Sequence, residues 1–132
     1  MAIQLKMEKT GSLKRSIKRE EVKSMNEAQQ SEIKEIVDCI LRNVPVTEIY
    51  LFGSYAKGLE NKDSDYNFYI VIPDDGIRPR EAIWKIREAI PKQSRRIDLL
   101  VGSQSKFAKY RDTISFIEGK VARTGVKLHG LL

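Results

Sequence analysis

Residues 67–73, NFYIVIP, form a near-continuous apolar run that opens on an amide and closes on a proline. Aromatic and β-branched side chains in an unbroken series suit a strand covered on both faces, where neither row of side chains meets water. Such a strand cannot stand at the surface of a fold. The rest of the chain has to supply neighbours in a sheet and helices to cover it.

The flanking segments have the patterns to do so. Residues 47–53, TEIYLFG, and 95–101, RRIDLLV, read as two further strands. From 26 to 43, Ile33, Ile36, Val37, Ile40 and Leu41 recur at three- and four-residue spacing, the single apolar stripe of a helix that Pro45 brings to an end. Asp74, Asp75 and Gly76 mark a turn. Residues 78–90, RPREAIWKIREAI, carry Ile83, Ile86 and Ile90 at helical spacing, with Trp84 read as core and Pro91 as the stop. Residues 103–125 read as one or two helices with Phe107, Tyr110, Ile114, Ile117 and Val121 as their apolar positions, and VKLHG reads as a short last strand. Helix, strand, strand, helix, strand, helix predicts an α/β (α+β) domain, a small mixed sheet packed against helices. At 132 residues there is room for one core.

Charge narrows the partners. The net charge is +6, and residues 1–24 hold seven Lys and Arg against three Glu, a basic N-terminal extension to the domain at 25–132. A second basic group comprises Arg78, Arg80, Lys85, Arg87, Lys92, Arg95 and Arg96. Basic surfaces attract nucleotide phosphates and nucleic acid, although solvated helix faces explain each residue equally well. Aromatic residues do not interleave with these charges as a stacking platform requires, so nucleic acid is the weaker reading. No apolar run approaches the roughly 18 residues of a membrane span, and the N-terminus lacks an apolar secretory segment. The expectation is a cytoplasmic protein with no membrane partner. Cys39, the one cysteine, sits in an apolar helical register and reads as a buried structural thiol. A single histidine, His129, argues against a His-rich metal site or a Ser-His-Asp triad.

The chemistry is concentrated in residues 51–72, LFGSYAKGLENKDSDYNFYIVI. Gly53 at a strand end lets the backbone turn sharply and approach a ligand closely. Ser54, opening a short helical turn, would offer its hydroxyl and free backbone N–H groups to phosphate, with Lys57 adding positive charge. By itself a Gly-Ser pair is usually only a turn. Asp65 and Asn67 are two apart, so a strand projects them to one side. Asp98 stands in an otherwise apolar third strand and joins them if the second and third strands are neighbours. An ion pair to Arg95 or Arg96 accounts for Asp98 as readily as a ligand does. Three convergent oxygen-bearing side chains beside a phosphate cradle would hold divalent cations bridging a nucleoside triphosphate. Tyr66, Phe68 and Tyr69 read as sheet packing before base stacking.

GSYAKG, then SDYN with Asp65 after a ten-residue spacer from Ser54, then RRIDLL, together resemble the nucleotidyltransferase superfamily of DNA polymerase β, and within it the minimal nucleotidyltransferases. The resemblance covers about residues 26–130. It implies the polymerase β-like nucleotidyltransferase fold, with Gly53, Ser54, Lys57 and Ser64 binding ATP or another nucleoside triphosphate. It further implies a two-ion Mg²⁺ site at Asp65, position 67 and Asp98, with Asp65 and Asp98 catalytic. It also implies transfer of a nucleoside monophosphate, AMP foremost, to a hydroxyl of a protein side chain (a tyrosine of a HEPN-domain toxin partner leading) or of a small molecule, and an antitoxin role for the transferase.

Asn67 departs from that pattern, which places a second aspartate there. The amide keeps a carbonyl oxygen and loses the charge that attracts a hard cation. Three accounts fit it: a degenerate member that binds nucleotide or a partner without turnover, a slow but active enzyme, and an Asp→Asn replacement made to halt turnover. The readings that follow are an adenylyl-transferring enzyme and a non-catalytic, antitoxin-like nucleotide- or partner-binding module.

Overall fold

The structure is a computed structural model that describes residues 27–53, 65–91 and 96–130. The elements run α1 (Glu27–Asn43), β1 (Glu48–Phe52), β2 (Tyr66–Ile72), α2 (Pro79–Ala89), β3 (Ile97–Ser103), α3 (Gln104–Tyr110), α4 (Ile117–Thr124) and β4 (Val126–His129). The strands form one sheet in the order β3-β2-β1-β4. β1 is antiparallel to both β2 and β4, and β2 runs parallel to β3 through the α2 crossover. The sheet is mixed, as the sequence predicts, and the apolar run of 67–73 occupies an inner position. The basic extension at 1–24 lies outside the described residues.

Strand alternation divides the core into two. On one face Ile49, Leu51, Tyr66, Phe68, Ile70, Ile72 and Leu99 meet Ile33, Ile36, Val37 and Ile40 of α1 and Ala82 and Ile86 of α2. On the other, Tyr50, Phe52, Tyr69 and Val71 meet Phe107 of α3 and Val121 of α4. Both faces of β2 are therefore covered, which is why its sequence shows no polar alternation after Asn67. Cys39 is buried and its thiol donates to the Ala89 carbonyl at 3.1 Å, tying α1 to the end of α2.

Two apolar readings are corrected. Trp84, expected in the core, is 63% exposed. α2 turns Ala82 and Ile86 to the sheet, and a residue midway between them on a helix of 3.6 residues per turn faces the opposite way. The 103–125 segment is two helices separated by a turn, and Ile114 falls in that turn at 79% exposure. Ile117 is also partly exposed, while Tyr110 stacks on Phe116 with ring centroids 4.3 Å apart.

One polar pair is sealed within the second core. The Tyr69 hydroxyl donates to Glu118 Oε2 at 2.7 Å, and Glu118, at 2% exposure, has Lys106 Nζ 4.0 Å away. Burial first, then the hydrogen bond to Glu118 and its negative charge, pushes the phenol far above its ordinary pKa of 10.0. The folded protein thus holds this proton more tightly than the unfolded chain. Tyr69 contributes full stability below about pH 10, and the contribution drains away as the unfolded chain ionises at higher pH. Urea unfolding midpoints should fall between about pH 10 and 11.5, and fall less steeply in Tyr69→Phe. Equal slopes in the two proteins would disprove the assignment.

Candidate functional site

A cluster of polar, partly exposed side chains lies where β2 and β3 begin. Their parallel register sets Asn67 directly beside Asp98. Residues opposite each other in adjacent strands project to the same face, so both side chains leave the sheet on the α3–α4 side. Asp65, immediately before β2, approaches the same corner through Arg96. The helical layer covers Tyr69 and Val71 but stops short of this corner: Leu100, next to Asp98 on the same row, is 39% exposed. The Asp65 and Asp98 side chains are 34% and 39% exposed. The sheet thus offers a polar corner that a solute can enter.

Arg96 brings the two carboxylates under one cation. Its Nε lies 3.3 Å from Asp98 Oδ1 and 4.0 Å from Asp65 Oδ2. Its own carbonyl accepts from the Tyr66 N–H at 3.0 Å, immediately before the first register pair of the parallel ladder. The ion pair that the sequence allows for Asp98 therefore exists, and it reaches Asp65 as well. Sequence reasoning did not foresee that second contact. The period-two relation of Arg96 to Asp98 in RRIDLLV was the available signal.

Gly53 supplies the third side of the corner. Its φ of +86° is a conformation that side-chain-bearing residues rarely adopt. A Cβ at this position would meet the Asn67 Nδ2 at 2.6 Å. Glycine lets the chain turn out of β1 while the Asn67 amide lies against its backbone. Ser54, Lys57 and Ser64, the other expected phosphate-binding residues, lie outside the described residues.

The donor set can be tested against a divalent cation from its chemistry. Among the described residues no group of three His, Cys, Asp or Glu side chains could hold a metal. The corner has two carboxylates and one amide. Its two carboxylates already share one positive group, the Arg96 guanidinium, so the pair is arranged to face a common cation. Two carboxylates and one amide oxygen are a donor chemistry that would suit one hard divalent ion. A second ion would lack the charge that a carboxylate at position 67 provides.

The family model for the nucleotidyltransferase domain matches residues 33–123, a span that includes Gly53, Asp65, Asn67, Arg96 and Asp98. A crystal structure of a toxin–antitoxin with AMP-PNP is similar at 25% identity, with a TM-score of 0.49 and coverage of 74% of this chain and 73% of that one. A 1.40 Å crystal structure of a protein from Sulfolobus solfataricus described as a candidate nucleotidyltransferase is 21% identical, with a TM-score of 0.45 and coverage of 64% and 81%. No curated protein matches the chain.

Proposed function

From the premise that this chain belongs to the nucleotidyltransferase-domain family, we propose that it binds a nucleoside triphosphate at the Gly53 turn and transfers a nucleoside monophosphate, AMP from ATP, to a hydroxyl, at a rate held down by Asn67. The observation that carries the reading is the convergence of Asp65 and Asp98, from two segments, on one cation beside a glycine turn. Mg²⁺ held by Asp65, Asp98 and the Asn67 carbonyl would neutralise phosphate charge and help orient the triphosphate.

The chain's own residues have definite tasks in that reaction. Glycine at position 53 lets the Asn67 amide lie against the turn beside which the phosphates would bind. Asp98 takes the proton of the acceptor hydroxyl as its oxygen attacks the α-phosphorus. The new oxygen–phosphorus bond forms as the bond to the bridging oxygen breaks, and pyrophosphate leaves opposite the attacking atom. Asp65 and Asp98 together hold the site's negative charge in place for its cation. A tyrosine on a HEPN-domain toxin is the acceptor we propose, with an antitoxin role following from it.

Asn67 favours a second reading, a partner-binding module of the same kind in which nucleotide binding persists and turnover has lapsed. The two separate in one assay: Mg²⁺, ATP labelled at the α-phosphate, and a panel of hydroxyl acceptors including a neighbouring-gene protein. Label transfer by the chain or by Asn67→Asp, and its loss in Asp98→Ala, is the expected result. No transfer by either protein would overturn the enzyme reading. Tight association with the partner that survives Asp65→Ala and Asp98→Ala would select the module.

A further inference from the structure

Arg96 is in an unusual position for a residue touching two carboxylates. Its backbone is pinned by the hydrogen bond from Tyr66, yet its side chain is 74% exposed. A fixed base with a free tip can swing without disturbing the sheet. Its guanidinium faces Asp98 at 3.3 Å and Asp65 at 4.0 Å, the two groups that the proposed function gives to a divalent cation. Both positive species cannot approach the same oxygens at once: a guanidinium left there would repel the ion it adjoins.

We infer that Arg96 is a built-in counter-cation that holds Asp65 and Asp98 together in the metal-free protein and competes with the divalent ion for them. This rests on the reading that Asp65 and Asp98 hold that ion. Arg96 acts through the carboxylates and is a positioning residue. In the free protein it screens two like charges that the fold brings to one corner. When a divalent ion enters, the guanidinium withdraws into water, to which its tip is already open. The ion must displace it, so affinity for the bare ion is lower than two carboxylates alone would give. With Asn67 neutral, the corner carries two negative charges where a third would help the ion win. Competition from Arg96 therefore weighs more heavily here than in a three-carboxylate site.

The test is Mn²⁺ binding to the full chain without nucleotide, read from loss of the free-ion electron paramagnetic resonance signal. Arg96→Gln should tighten Mn²⁺ binding about threefold to tenfold, the scale of exposed ion pairs plus relief of repulsion. Arg96→Lys, which keeps the charge, should stay within about twofold of the unaltered chain. Asp98→Asn should weaken binding severely. A purely structural role for Arg96 predicts a lower unfolding midpoint in Arg96→Gln with Mn²⁺ affinity unchanged, and that result overturns the inference while leaving the cation site standing. Absence of Mn²⁺ binding to both the unaltered chain and Arg96→Gln overturns the cation site and the inference with it.

Discussion

Asn67→Asp is expected to raise the rate of label transfer by about two orders of magnitude or more, the usual scale for restoring charge stabilisation at a reacting phosphate. The substitution is nearly isosteric, so its effect is electrostatic. It places a third negative charge at the corner that already holds Asp65 and Asp98, directly opposite Asp98 in the parallel register. Without a cation this crowding is only partly relieved by the one guanidinium of Arg96, and the variant should unfold at lower urea than the parent. With Mg²⁺ the order should reverse, because three carboxylates hold a hard ion more tightly than two and binding to the folded state alone stabilises it. A Mg²⁺-dependent rise in the unfolding midpoint that is larger in Asn67→Asp than in the parent is the companion readout. Equal rises with no gain in transfer would show that position 67 takes no part in holding the ion.

The second large effect is expected at Gly102. A Cβ there would lie 2.1 Å from the Tyr69 hydroxyl oxygen and 3.1 Å from its ring carbon Cζ. The backbone is not what demands glycine; Tyr69 is. That side chain cannot step aside, since it is 2% exposed, its ring sits 5.3 Å from that of Phe107, and its hydroxyl is committed to Glu118. Gly102→Ala should therefore cost about 2–4 kcal/mol, from overpacking together with a broken buried hydrogen bond. Removing the hydroxyl removes the worst contact, so Gly102→Ala combined with Tyr69→Phe should cost less than the two changes summed. Denaturant unfolding of the four proteins gives the cycle. Strict additivity would mean that the phenol and Gly102 are not in conflict.

How much of this was legible in the chain depends on how local each signal is. The α1 stripe from Ile33 to Leu41 and the apolar run of β2 carry their periodicity within themselves, and the structure reproduces both within a residue at each end. β3 is less self-contained. The sequence pattern suggests 95–101 whereas the strand runs Ile97–Ser103, because Gly102 and Ser103 look like a turn until Val71 and Ile72 pair with them. The aromatic character of Trp84 suggests core, while the helical phase set by Ala82 and Ile86 turns it outward. The Tyr69–Glu118 pair, 49 residues apart, has no local sign at all. At the site, the two-residue spacing of Asp65 and Asn67 indicated a shared side, and the adjacency of Asp98 depended on which strands are neighbours. The strand order brings Asp98 alongside; the reach of Arg96 to both carboxylates needed three dimensions.

The amide of Tyr66 donates to the carbonyl of Arg96 at the very start of the parallel seam, where the acidic residues stand. Opening that seam from its end would part β2, with Asp65 just before it, from β3, which bears Asp98. A single backbone proton therefore reports whether the corner is assembled. Its exchange with deuterated water should slow when a cation or nucleotide clamps the two strands, and the rest of the sheet, protected by its own longer ladders, should keep its pace.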